Sequence, residues 1–359
     1  MTNRTQQIIL WRQKRRRHDR QRPHPWRWLF QFSLSGLAIF FLIFGGGALT
    51  ATAAAAGVYT QNLVYAAPVA LDRQRTPSDH IRAVVIDSGN ANACTGERGL
   101  KDAHEMARLA ALTCGAQEEN ALVLSTGIIG AFLPMDKIAK GIETAATQLG
   151  ADEASLLAAA RGMLTTDTVH KLSGRTVDIG GRTIQVTGLA KGAAMMGPNM
   201  ATMLALVLTD APVDARAAQA ALSAATADTF NCISVEGHMS TNDTVLLVAN
   251  GAAGGAHLTG KELAQFQEAL HGVCQDLAKA IPADGEGATH LITIEVLGCA
   301  DRKSAMQIAK TVANSPLVKA AIHGADPNWG RIVSAAGYAE IPFDPAKVTL
   351  YVNGFLLYQ

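Results

Sequence analysis

Seven short apolar runs set what this chain can fold into. Residues 83–87, 121–125, 183–187, 203–209, 244–249, 291–297 and 348–352 are each five to seven residues long, the length of strands and too short for helices. Between them apolar residues recur at helical spacing over 102–114, with Gly115 as a C-terminal stop, and over 154–164, 213–229, 260–280 and 305–313. Strands and helices mix without strict alternation, which favours a layered α+β or αββα arrangement over a doubly wound parallel sheet. From residue 57 onward no linker, low-complexity tract or repeat interrupts the pattern.

A chain of 359 residues with 48% apolar and 17% charged residues has the composition of a globular protein with a sizeable core, which excludes disorder, collagen and coiled coil. The net charge of +1 hides an asymmetry, because nine basic residues against Asp19 put about +8 on residues 1–28 and leave the body at about −7. An acidic body has no electrostatic footprint for nucleic acid, so no nucleic-acid partner is expected. The five cysteines, Cys94, Cys114, Cys232, Cys274 and Cys299, are widely spaced and contain no C-x-x-C pair. They read as thiols of a reducing compartment and not as a disulfide framework or zinc site.

Residues 29–56 carry no charge and follow the basic arm of residues 1–28. Three readings stay open for this segment: a secretory signal ending in an A-x-A element such as Ala51-Thr52-Ala53, a membrane span of about 20 apolar residues, or a buried apolar helix. The first two predict export or membrane contact, which conflicts with the cysteine usage.

Five loops are dense in small polar residues: 88–96 (SGNANACTG), 125–127 (STG), 165–168 (TTDT), 240–244 (STNDT) and 284–289 (DGEGAT). Each alone is a turn by default, but several sit at the ends of predicted strands, where sites are built. The most informative stretch, residues 188–204 (GLAKGAAMMGPNMATML), carries Lys191 and a glycine-rich loop into Thr202 at the mouth of an apolar strand. It reads either as a loop entering a core strand or as an autoprocessing site. Breakage of the bond before Thr202 would free an α-amine with a pKa near 8, placed to take the proton of its own hydroxyl. No G-x-S-x-G, P-loop, H-E-x-x-H or G-x-G-x-x-G before a helix is present. The ten histidines are scattered, and none reads as a metal ligand.

Taken together, the blocks AGVYTQN, SGNANACTGERGL, STGIIG, LPMDKI, TTDT, AKGAAMMGPNMATML, FNCISVEG, STNDTVLL, DGEGAT, ANSPLVK and DPNWGRI resemble the ornithine acetyltransferases, the bifunctional glutamate N-acetyltransferases of arginine biosynthesis. The resemblance runs from about residue 56 to residue 354. It implies a layered αββα sandwich of a self-processing N-terminal-Thr acyltransferase, here preceded by an apolar N-terminal helix. It implies self-cleavage between Ala201 and Thr202 into an α-chain region (57–201) and a β-chain region (202–359), behind the arm (1–28) and the apolar segment (29–56). Thr202 would be the nucleophile, taking acetyl from N-acetylornithine and passing it to glutamate with ping-pong kinetics. Thr126 and Gly127 match the oxyanion-hole pair, and Thr165, Lys191 and Glu286 match substrate-binding positions. No cofactor is implied, acetyl-CoA is an additional donor the family allows, and the assembly would be α2β2 in the cytoplasm.

Three departures from the family pattern stand out. The strand-forming segment before the AGVFT-like block is replaced by the basic apolar arm. The chain ends at Gln359 without an N-A-D-Y-R-T-like motif, which predicts a missing wall of the substrate pocket. Position 290 is His where the family has Lys, and its Asp-Gly-Asp segment reads Glu236-Gly237-His238. These departures keep two alternatives in view: an inactive, membrane-attached relative, and an amidase or aminopeptidase with the same kind of N-terminal nucleophile.

Overall fold

Leu204–Thr209 and Thr244–Ala249 lie side by side as parallel strands inside a six-stranded sheet, and all twelve of their residues are buried. Strands covered on both faces read as continuous apolar runs, which is why both were legible in the sequence. The architecture is that of a computed structural model, which describes residues 7–15 and 37–41 as backbone and residues 52–195 and 203–359 in full. Ala201 and Thr202 lie outside the described residues.

The strands are β1 (Gln7–Arg15), β2 (Leu37–Phe41), β3 (Ala53–Tyr59), β4 (Ser78–Ile81), β5 (Ala83–Asn90), β6 (Ala121–Ile128), β7 (Lys171–Ile179), β8 (Arg182–Lys191), β9 (Leu204–Thr209), β10 (Thr244–Ala249), β11 (His290–Leu297), β12 (Val348–Val352) and β13 (Phe355–Tyr358). The helices are α1 (Ala67–Arg75), α2 (Gly96–Thr113), α3 (Met135–Ala146), α4 (Glu153–Gly162), α5 (Ala215–Asp228), α6 (Gly260–Ala283), α7 (Arg302–Asn314), α8 (Pro316–His323) and α9 (Trp329–Gly337). They divide between two units, the larger holding β2–β10 with α1–α6 and the smaller holding β1, β11–β13 and α7–α9.

In the larger unit the six-stranded sheet has the order β4-β3-β10-β9-β8-β7 and a second sheet the order β2-β5-β6. Alternation along each strand sorts the side chains to two faces. Ala53, Ala55, Leu206, Leu246 and Val248 of the first sheet share one core with Val84, Ile86, Leu122 and Leu124 of the second. The outer face of the smaller sheet, with Ala83, Val85, Ala121 and Val123, packs on Leu71 of α1, Met106 and Ala110 of α2 and Ile142 of α3. The outer face of the larger sheet carries α5 against β3 and β10 and α6 against β7 and β8. Helix, sheet, sheet and helix layers therefore stack as the αββα arrangement expected from the element pattern.

The smaller unit is a sheet of order β11-β1-β12-β13, with β1 antiparallel to β11 and parallel to β12. Its core joins Ile308 and Val312 of α7, Val318 and Ile322 of α8, Ile332 and Ala335 of α9 and Leu350 of β12. Asp301 caps α7 by accepting from the Ser304 amide at 2.8 Å, satisfying one orphan N–H of the first turn.

The expected apolar N-terminal helix is not what forms. Leu37–Phe41 is a strand paired antiparallel to β5, and Ala53–Ala56 open β3, which lies between β4 and β10 in the six-stranded sheet. Residues 29–36 and 42–51 lie outside the described residues. The physical reason is the state of β5: Ala83–Ile86 are wholly buried, so its backbone groups need a strand partner on each side. A short apolar run can fill that place as well as it can form a helix, and periodicity does not separate the two. No helix among the described residues is long and apolar enough to cross a membrane.

Candidate active site

Thr126 and Gly127 sit near the end of β6, beside β5 in a parallel register that sets Gly89 against Gly127. Gly127 has φ +139°, and a Cβ there would lie 2.2 Å from the Gly89 carbonyl carbon and 2.5 Å from the Asn90 nitrogen. Only glycine allows the two backbones this approach. The Thr126 side chain is buried and its Oγ1 accepts a hydrogen bond from Lys191 Nζ at 3.2 Å.

Lys191 is the last residue of β8 and is itself buried. Burial pushes its ammonium pKa down, Asp167, Asp243 and Glu286 oppose that shift, Lys171 reinforces it, and the net displacement is downward. The amide of the next residue, Gly192, donates to Asp167 Oδ1 at 2.6 Å. Asp167 belongs to the 165–168 loop, and its Oδ2 accepts the Thr165 amide at 3.3 Å. Burial favours the neutral acid at Asp167, yet Lys191 and Lys171 together hold its pKa below the ordinary carboxylate value.

Glu286 follows α6. Its amide donates to the Ala193 carbonyl at 2.8 Å, which ties the DGEGAT loop to the stretch leaving β8. Its carboxylate is one of the charges that Lys191 feels. Thr165 is half-buried and Glu286 exposed, whereas Thr126 and Lys191 are buried.

The start of β9 is fixed from β10. Met203, the residue after Thr202, donates its amide to Asp243 Oδ1 at 3.1 Å, and Asp243 is wholly buried. Burial pushes the Asp243 carboxyl up to about 8, although its bond from Met203 and the Lys191 charge act downward. Its Oδ2 meets no hydrogen-bond partner among the described residues. The neighbouring Asn242 donates through Nδ2 to the carbonyls of Ala91 and Ser125, both at 2.7 Å, and so joins β10 to the SGNANACTG loop and to the residue before Thr126. Within that loop Asn92, at φ +46°, accepts from Thr95 and donates to Gly99, so the block serves the backbone of the site.

The structure thus gathers Thr126, Gly127, Lys191 and the loops of Thr165 and Glu286 at one end of the strands of the larger unit. Sequence reasoning missed Asp243, Asn242, Asp284 and Lys171 as members. The first three lay in loops already marked as polar, while Lys171 opens β7 with no motif around it. Among the described residues no group of three or more His, Cys, Asp or Glu side chains is arranged to hold a metal ion.

Comparison with known proteins identifies the family. The ArgJ family model matches residues 47–359. The arginine biosynthesis bifunctional protein ArgJ of Rhodopirellula baltica is 48% identical over 307 residues, 85% of this chain and 75% of that protein. The protein of the same name from Symbiobacterium thermophilum is 50% identical over 306 residues, 84% of this chain and 75% of that protein. Among solved structures, the ornithine acetyltransferase of Mycobacterium tuberculosis in complex with ornithine is 32% identical over 45% of this chain and 82% of that one, with a TM-score of 0.38. With a family match over 47–359 and relatives near half identity across more than four fifths of its length, the chain belongs to the ArgJ family.

Proposed function

We propose that this chain moves the acetyl group of N-acetylornithine to glutamate in arginine biosynthesis, through an acetyl ester on Thr202 formed after self-cleavage between Ala201 and Thr202. The observation that carries the reading is the buried contact of Lys191 Nζ with Thr126 Oγ1 at 3.2 Å, beside the glycine that only a close backbone approach requires. While Lys191 carries its proton it is a donor only, so Thr126 accepts from it and keeps its own O–H to donate elsewhere. That O–H and the Gly127 amide are the donors proposed for the oxyanion of the tetrahedral intermediate.

In the first half-reaction the Thr202 hydroxyl gives its proton to the freed α-amine and its oxygen attacks the acetyl carbonyl. The amide C–N bond breaks, and ornithine leaves with the proton on its nitrogen. In the second, the α-amine of glutamate attacks the ester carbonyl, and Thr202 recovers its proton as N-acetylglutamate departs. Lys191 suits a substrate carboxylate and Glu286 a substrate ammonium, with Thr165 as a hydroxyl partner. Acetyl-CoA offers the same acetyl carbonyl on a thioester and is proposed as a second donor. The proposed assembly is α2β2, and the proposed setting is the cytoplasm, in keeping with five cysteines that form no disulfide with one another.

Intact-mass analysis of the purified chain beside Thr202→Ala tests the scheme: two fragments split before Thr202, absent from the variant, are expected. A single uncut chain in both would remove the nucleophile from the scheme. Thr126→Val should lower kcat for acetyl exchange by about 10²–10³ with little change in KM, the usual cost of losing one oxyanion donor. A rise in KM at constant kcat would assign Thr126 to ground-state binding instead.

A further inference from the structure

The three loops that carry Thr165, Lys191 and Glu286 meet at one buried ion cluster. Lys171 Nζ lies 2.6 Å from Asp167 Oδ1 and 3.0 Å from Asp284 Oδ2, and the side chains of all three are at most 1% exposed. Asp167 reaches onward to the Gly192 amide, next to Lys191. Asp284, two residues before Glu286, accepts from the Thr168 amide at 2.9 Å, the Val169 amide at 3.3 Å and the Thr168 hydroxyl. Lys171 is thus the shared cation of two carboxylates, one on each of two separate loops. A buried ion pair of this kind is weak support for stability but holds a defined geometry, because each charge needs its partners in place.

We infer that Lys171 and Asp284 are positioning residues, which clamp the 165–169 loop to the 284–286 loop and so set the spacing of Thr165 and Glu286 around Lys191. The inference rests on the proposed function and assigns the substrate affinity of that site to a network that touches no substrate. With the clamp intact, both loops are placed before either amino acid arrives, and binding does not bear the cost of ordering them.

Lys171→Met keeps the apolar stem and removes the ammonium, leaving two buried carboxylates without their common cation. The expected result is a rise of about tenfold or more in KM for N-acetylornithine and for glutamate, with kcat kept within about threefold and cleavage before Thr202 retained. Lys171→Met combined with Asp284→Asn removes one charge of each sign; its melting midpoint should return toward that of the parent while both KM values stay high. Recovery of KM together with the midpoint would overturn the clamp in favour of plain charge balance, as would a lowered midpoint in Lys171→Met with unchanged KM. Should Lys171→Met fail to fold, Thr168→Val removes only the hydroxyl on Asp284, and a KM rise of about threefold supports the clamp where an unchanged KM rejects it. A parent chain that neither exchanges acetyl nor binds ornithine by calorimetry would overturn the proposed function and this inference with it. Turnover by the parent with insensitive variants overturns the inference alone.

Discussion

Asp87 lies in the middle strand of the three-stranded sheet, buried, opposite Ser125 of β6 and Leu37 of β2. Burial pushes its carboxyl up to about 8, and its Oδ1 has no hydrogen-bond partner among the described residues. An unfolded aspartate titrates near 3.9, so between these values the folded chain holds a proton that the unfolded chain releases. The stability this contributes is complete below about pH 4 and is lost as pH rises through about 8. Asp87→Asn keeps the shape without the charge. The variant should lose less stability than the parent in urea titrations run from about pH 5 to about pH 9, and should be the more stable of the two at the alkaline end. The slope should not vanish, since Asp243 is pushed up to about 8 by the same burial. Parallel pH curves for parent and variant would show that Asp87 is not the group responsible.

At the scale of elements, Gly188 shows how a strand can hide in a loop-like sequence. Read along the chain it opens a glycine-rich loop, but it stands inside β8 beneath α6, where a Cβ would lie 2.7 Å from Leu277 Cδ1 and 2.8 Å from Val273 Cγ1. These two side chains are four residues apart and share one helix face. Gly188→Ala should therefore cost about 1–3 kcal/mol by overpacking, read as a lower urea midpoint with an unchanged slope; an unchanged midpoint would mean that α6 yields freely. Other elements were legible to the degree that local pattern and final environment agreed. The central strands β9 and β10 are continuous apolar runs and fall where expected, as does α6. The exposed strand β7 carries Ser173, Arg175, Thr176 and Asp178 and gave no apolar signal. The β3 run of four alanines has poor strand propensity, and only its place between the second sheet and α5 makes a strand of it. Within the candidate site, Thr126, Lys191 and Glu286 were visible through their blocks, whereas the bridging role of Lys171 was not, because the second of its two partners, Asp284, is 113 positions away.

At the scale of the whole chain, the proposed break before Thr202 has to be set against sheet topology. In the order β4-β3-β10-β9-β8-β7, the strands β3, β4, β7 and β8 precede the break while β9 and β10 follow it. The two strands of the later fragment thus lie between strands of the earlier one, with β10 paired to β3 over Thr244–Ala249 and β9 paired to β8 from Lys191 opposite Leu204 onward. The core between the sheets is mixed in the same way, joining Leu122, Leu124 and Leu189 to Leu204, Leu206 and Leu246. Separating the fragments would expose the apolar side chains that β9 and β10 share with the second sheet and strip the ladder bonds from four strand edges, each left as an unpaired row of N–H and C=O groups. Cutting one connection between β8 and β9 removes none of those contacts. The fragments are therefore expected to co-elute in native size-exclusion chromatography and to separate only in denaturant, with the cleaved chain unfolding in one transition across the larger unit. Fragments that part under native conditions would mean that β9 and β10 do not hold their place between β3 and β8 once the chain is cut.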